Sequence, residues 1–286
     1  LSEPSGAHAV KIIIAEPTGL CFGVKRAITT LEEALKRFGR VYALGSPIHN
    51  PQEIERLEDL GLAVVHEPSG VPEGAVSFVR AHGVTPEIFA ALRERSANII
   101  DGTCPFVKNA QERAKTLSQE GYIVIILGDV SHPEVRGIVG CVSGEVHVLS
   151  GAAEITEQFR GKRCGILSQT TQRVETFAAL VAGFVSTTPE IKVYNTICRA
   201  TLARQQSVRR LAGEAEGIIV LGGKNSANTR KLAEIGAASG VPTLWIEHAG
   251  ELERSWVRDK RAIGIAAGGS TPDWLMKELI QKLKMM

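Results

Sequence analysis

Apolar and polar positions along this chain switch between two periods, and the switching recurs three times. Compact apolar runs at Lys11-Ile12-Ile13-Ile14-Ala15, Asn98-Ile99-Ile100-Asp101 and Ile191-Lys192-Val193-Tyr194 read as short strands. Each is followed by a cysteine (Cys21, Cys104 or Cys198) and then by a helical stripe. Behind Cys21, Val24, Ala27, Ile28, Leu31, Leu35 and Phe38 recur at intervals of three and four, predicting a helix that stops at Gly39. Behind Cys104, Pro105 suits a first helical turn, and Val107, Ala110, Ala114 and Leu117 carry the stripe to Gly121. The stripe behind Cys198 (Leu202, Val208, Leu211) is sparser and ends near Gly213.

A second strand then closes on Leu-Gly in every case: Val41–Gly45, Val124–Gly128 and Ile218–Gly222. From each cysteine to that glycine the offset is 24 residues, so the chain reads as a threefold repeat. Four residues beyond the glycines stand His49, His132 and Ser226. A third strand ends in polar loops at Arg80-Ala81-His82-Gly83, Ser168-Gln169-Thr170-Thr171 and Gly268-Gly269-Ser270-Thr271. The pattern predicts an α/β protein: a pseudo-threefold trefoil of three small units with mainly parallel sheets, its ligands gathered at strand C-termini. The expected units are 10–97 (Cys21), 98–190 (Cys104) and 191–275 (Cys198), with 276–286 a C-terminal helix or tail packing on the first.

With 286 residues, 44% hydrophobic and 22% charged, the chain has ample core and is not disordered. No apolar run approaches the roughly 18 residues of a membrane span, which argues against membrane insertion. A net charge of +2 and 5% aromatic residues argue against a nucleic-acid partner. The polar opening, 1–9, reads as a tail without a targeting signal, and five cysteines fit a cytoplasmic, reducing setting.

Packing the three units about one axis would bring Cys21, Cys104 and Cys198 together as a metal site. Zinc usually shows local Cys-x-x-Cys pairs, absent here, whereas a cubane iron–sulfur cluster held by three cysteines leaves one iron open to a substrate oxygen. Each cysteine opens a predicted helix, where the dipole favours an anionic cluster. A lone cysteine is more often a core thiol; equal register in three repeats reverses those odds, while Cys141 and Cys164 break the register and read as core. The loops hold His49, His82, His132, Thr170, Thr171, Ser226, Asn228 and Ser270, a set of neutral donors suited to a phosphate or diphosphate. Lys224 and Arg230 read equally as anion contacts or solvated charges. Six residues beyond the three glycines stand Pro51, Glu134 and Asn228, so only the middle unit offers an acid. Glu134 fits either proton delivery or a helix first turn.

The motifs Cys21-Phe22-Gly23-Val24-Lys25-Arg26-Ala27, Ile48-His49-Asn50-Pro51, Arg80-Ala81-His82-Gly83, Thr103-Cys104-Pro105, His132-Pro133-Glu134-Val135, Ser168–Gln172, Asn195–Cys198, Gly222–Ser226 and Ser270–Trp274 together resemble the IspH/LytB family, the 4-hydroxy-3-methylbut-2-enyl diphosphate reductases. The likeness runs from about Ile12 to about Leu283. It implies a 4Fe–4S cluster on Cys21, Cys104 and Cys198, and diphosphate contacts from His49, His82, His132, Ser226, Asn228 and Ser270. It also implies a substrate hydroxyl on the open iron near Thr170, with Glu134 as proton donor. Two electrons from a partner such as ferredoxin or flavodoxin would expel that hydroxyl as water, giving isopentenyl and dimethylallyl diphosphate in the last step of the non-mevalonate route. Thr201 resembles a cluster-side residue. The chain departs from the family at Ala227, where a second Ser is common, at Leu20, where an aromatic is common, and at Gly102 and Gly269, where Ala is usual. Two other readings of the same residues stay open: a zinc hydrolase on the three cysteines, and a non-catalytic phosphate-binding module with the cysteines in its core.

Overall fold

The computed structural model describes residues 10–286, so the tail expected at 1–9 lies outside the described residues. The elements run β1 (Lys11–Ile14), α1 (Phe22–Phe38), β2 (Val41–Leu44), α2 (Pro51–Asp59), β3 (Leu62–Val65), β4 (Val76–Val79), α3 (Pro86–Arg95) and β5 (Asn98–Asp101). The same series then recurs as α4 (Pro105–Gln119), β6 (Ile123–Leu127), α5 (Pro133–Val139), β7 (Val146–Leu149), β8 (Arg163–Ser168), α6 (Val174–Val185) and β9 (Glu190–Val193). It recurs once more as α7 (Arg199–Leu211), β10 (Gly217–Leu221), α8 (Ala227–Ala238), β11 (Thr243–Ile246), α9 (Arg254–Val257), β12 (Ala262–Ala267) and α10 (Asp273–Lys284).

These strands build three four-stranded parallel sheets of one topology: β3-β2-β4-β5, β7-β6-β8-β9 and β11-β10-β12-β1. Strand-to-strand connections through helices enforce the parallel pairing, because a helical crossover returns the chain to the same end of the sheet. The central strands β6 and β10 are apolar throughout and buried, as a sheet covered on both faces requires. α1 packs Ala27, Leu31, Ala34 and Leu35 on Val41 and Phe78 of the first sheet. α4 packs Ala110, Ala114 and Leu117 on Val124, Ile126 and Leu167 of the second, and α7 sets Val208 and Leu211 on Ile218 and Val220 of the third.

The strand before each cysteine differs from the expected grouping. β5, placed by the sequence at the start of a second unit, pairs with β4, Ile99 opposite Ser77; β9 likewise pairs with β8. β1 pairs with β12, Ile13 opposite Gly264, and so belongs to the third sheet. Boundaries at 97 and 190 therefore cut between hydrogen-bonded strands. The physical reason is that an apolar run fixes a strand but not its partner. Helix α10 differs too: Leu275, Met276, Leu279 and Leu283 pack on the third sheet, with Ile219, Ile246 and Ile263.

The chain separates into two compact units, one of residues 22–202 carrying the first two sheets, the other of residues 203–286 with 10–21, carrying the third. Every cysteine of the repeat thus stands on a crossover: the strand before it closes one sheet and the helix after it covers the next.

Candidate active site

Within residues 22–202, the polar loops at the strand C-termini hold three histidines. His49 follows β2, His82 follows β4, and His132 caps α5. Their ring centroids lie 4.2 Å (His49–His82), 5.5 Å (His49–His132) and 5.5 Å (His82–His132) apart, and one nitrogen from each lies within 4.8 Å of the others. The Nδ1 of His132 accepts the Glu134 backbone N–H at 3.2 Å, which fixes the tautomer carrying its proton on Nε2. Burial lowers the His49 pKa to about 4, helped by His132 and Arg80; burial, His49, His132 and Arg80 hold His82 well below the ordinary value. At neutral pH the His49 and His82 imidazoles are therefore uncharged.

Such a trio has the composition of a metal site. Coordination by His132 Nε2 would move its proton to Nδ1 and break the cap on Glu134 N–H, and the nearby Arg80 repels a cation. A donor set backed by a guanidinium fits an anion instead. The motif Arg80-Ala81-His82-Gly83 assigns Arg80 no role of its own. Its Nε is buried with no hydrogen-bond partner, and the absent Cβ of Gly45, where φ is 69°, leaves the room its guanidinium occupies. The signal in the sequence was its place, the first residue after a central strand.

Glu134, at the second position of α5, is 2% exposed. The Thr170 N–H donates to Oε1 at 2.6 Å and the Thr170 hydroxyl to Oε2 at 2.9 Å. Burial raises the carboxyl pKa to about 7, against the lowering by both bonds. The group is thus poised to hold or release a proton near neutrality. When protonated, Glu134 can donate to the Thr170 oxygen, which frees the hydroxyl proton to point elsewhere. Thr170 also accepts the Cys198 N–H on its carbonyl, 2.9 Å away, tying this pair to that cysteine's backbone.

Cys104 is the N-cap residue of α4, and its N–H donates to the Ala81 carbonyl at 3.0 Å. A Cβ on Gly23 would collide with its sulfur, so only glycine admits the thiol there. Cys198 immediately precedes α7, in which Thr201 is buried. Cys164 is buried in β8 and its thiol is pushed up to about 11 by burial. Cys141 donates to the Gly137 carbonyl at 3.3 Å, and burial raises its pKa. Cys164 suits the core reading, whereas Cys141 is half-buried.

The other unit holds Cys21, Ser226, Asn228 and Ser270. The Cys21 N–H donates to Gly269 O at 2.9 Å, and a Cβ on Gly269 would lie 3.5 Å from Cys21 Sγ and 3.7 Å from Asn228 Nδ2. Ser226 caps α8. Both polar atoms of the Asn228 side chain are buried with no hydrogen-bond partner, an arrangement costly enough to point to a ligand. Lys224, by contrast, donates to the Trp245 carbonyl and lies 4.5 Å over its ring, and Arg230 is exposed.

A sequence model of the LytB protein family matches residues 12–284. The chain is 42% identical over 275 residues to a 4-hydroxy-3-methylbut-2-enyl diphosphate reductase of Geobacter sulfurreducens, covering 96% of this chain and 97% of that one. To the reductase of the same name from Aquifex aeolicus it is 43% identical over 279 residues, covering 96% of both. A solved structure of (E)-4-hydroxy-3-methyl-but-2-enyl diphosphate reductase, described as the terminal enzyme of the non-mevalonate pathway, superposes with a TM-score of 0.72 at 43% identity, over 97% of this chain and 100% of that one. The structure of the Plasmodium falciparum E-1-hydroxy-2-methyl-but-2-enyl-4-diphosphate reductase gives 0.89 at 26% identity, over 95% of this chain and 87% of that one. Among the described residues no helix is long and apolar enough to cross a membrane. With the repeat, the sheets and nearly the whole length in agreement, this chain belongs to the LytB family and is an oxidoreductase.

Proposed function

We propose that the protein reduces (E)-4-hydroxy-3-methylbut-2-enyl diphosphate. The allylic C–O bond breaks, two electrons and two protons enter, and the products are water with isopentenyl or dimethylallyl diphosphate. Cys21, Cys104 and Cys198 hold a 4Fe–4S cluster in this reading, which supplies single electrons and a Lewis-acidic iron for the substrate hydroxyl. The thiols suit it: three helix starts on three sheet-to-sheet crossovers, with glycine rather than a side chain beside the sulfurs of Cys104 and Cys21.

The remaining work falls to the protein's own groups. His49, His82 and His132 donate hydrogen bonds to the diphosphate as neutral imidazoles, and Arg80 balances its charge. Ser226, Asn228 and Ser270 provide further contacts, the buried Asn228 amide being the best supported. Glu134 delivers a proton through the Thr170 hydroxyl to the departing oxygen, making water rather than hydroxide the leaving group. The observation carrying this reading is the buried carboxyl with a pKa near 7, doubly bonded to Thr170, beside the imidazole trio and in a LytB chain. Among the described residues no cysteine forms a disulfide, which suits the cytoplasm as compartment.

The test is anaerobic purification with iron and sulfide counted per chain, followed by turnover of the allylic diphosphate with a viologen reductant. We expect a brown protein with about four irons, and loss of both colour and turnover in Cys104→Ser. Stoichiometric zinc without a chromophore would support the hydrolase reading and end this one; ligand affinity untouched by Cys104→Ser, with no iron, would favour the binding module.

A further inference from the structure

Within residues 22–202 the two sheets end in matching side chains. Arg80 is the first residue after β4, and Gln169 is the first after β8. Extending the strand pairing sets Arg80 beside Gly45 and Gln169 beside Gly128. In both places the glycine makes room: a Cβ on Gly45 would strike the Arg80 guanidinium, and a Cβ on Gly128 would lie 3.3 Å from Gln169 Oε1. In both, a histidine stands four residues beyond the glycine, His49 or His132. Gln169 is thus the counterpart of Arg80 in the second sheet.

The Gln169 amide is oriented by its oxygen. Oε1 accepts the Asp129 backbone N–H at 3.2 Å and Gln172 Nε2 at 3.4 Å, so a flipped amide would turn N–H against N–H. Nε2 is the other end, and it is buried with no hydrogen-bond partner in a residue only 1% exposed. Leaving such a donor unmet is costly, and a ligand oxygen would meet it. The surroundings favour an anion. The Asp129 that Gln169 grips also accepts the His132 N–H on its carbonyl at 2.9 Å, and the buried Nε of Arg80 lacks a partner in the same way.

We propose that Gln169 is a further binding residue for the substrate, its Nε2 donating to a phosphate oxygen of the diphosphate as the neutral counterpart of Arg80. Neutrality matters at this place. A guanidinium one residue from Thr170 would pull the Glu134 carboxyl towards its ionised form and forfeit the proton it holds near neutrality; an amide donates without doing so. The assignment rests on the diphosphate reading above, and the test separates the two.

Gln169→Glu keeps an oxygen for the Asp129 N–H and replaces the donor by a second oxygen; Gln169→Met keeps the bulk and removes both. Both variants are purified anaerobically as holoenzyme. Binding of inorganic pyrophosphate and of isopentenyl diphosphate is read by calorimetry at pH 8, beside steady-state turnover with reduced methyl viologen. In each variant Kd for both ligands rises about tenfold or more and KM follows, while kcat stays within about twofold, as for a contact made equally in ground and transition states. A Kd unchanged in Gln169→Met overturns the assignment. So does a Kd weakened in Gln169→Met but unchanged in Gln169→Glu, since the loop bond and not the donor would then matter, and so does a loss confined to kcat. Wild-type protein that binds neither ligand strikes instead at the diphosphate reading.

Discussion

Glu134 is held between opposing demands. Its position in the first turn of α5 and its two bonds from Thr170 favour the carboxylate, and burial favours the acid; burial wins and leaves the pKa near 7. If the protonated form delivers the proton, turnover falls as pH rises through about 7, and a pH–rate profile under saturating substrate shows it. Glu134→Gln keeps the shape and removes the proton, so turnover drops roughly a hundredfold with KM little changed, and the alkaline limb disappears. The same group sets a stability trend. Its folded pKa of about 7 lies above the unfolded value of 4.5, so its contribution is full below about pH 4.5 and is lost as pH rises through 7. Denaturant titrations at pH 5 and pH 8 should therefore show Glu134→Gln gaining on the wild type as pH rises. His49 runs the other way, its contribution lost as pH falls from 6.5 towards 4. His132→Ala removes both a donor and the cap on the Glu134 N–H, and substrate affinity, read by calorimetry with the non-reacting diphosphate product, weakens about ten- to a hundredfold. Much of this was legible in the chain: Glu134 is the lone acid in its register. Arg80 was not, because its importance comes from the burial of its Nε and from the space at Gly45, and neither is a property of spacing.

The repeated elements were legible because a 3.6-residue stripe and a terminal glycine are local signals. Gly39 and Gly121 adopt φ of 73° and 77° just beyond α1 and α4, where the stripe predicted the stops. Strand partnership was hidden, since β1, β5 and β9 read alike whichever sheet receives them. The outer strands β3, β7 and β11 also escaped the repeat: β7 and β11 each carry a polar residue among their four, so only β3 reads as a continuous apolar run. One element-level departure has a packing cause. Gly102, where the family resemblance implies Ala, follows β5 under the ring of Phe78; a Cβ there would strike Phe78 Cζ and sit 2.7 Å from the Val79 carbonyl oxygen. Gly102→Ala should cost about 1–3 kcal/mol in denaturant unfolding, and Phe78→Leu should recover part of it in the double variant. Gly269→Ala meets only ordinary contacts and should be neutral in the same measurement.

At the scale of the molecule, the three sheets share one strand order, and each cysteine of the repeat occupies the same link between successive sheets. The threefold pattern was legible from the constant offset; its cyclic closure was not, because β1 completes a sheet whose other strands lie at the far end of the chain. That closure has a price in time. Lys11 pairs with Ala262 across about 250 residues, so β1 has no mate until β12 has been made. Through that interval Ile12 and Ile13 must be shielded from adhering to neighbours, and a prematurely truncated chain would leave them exposed for good.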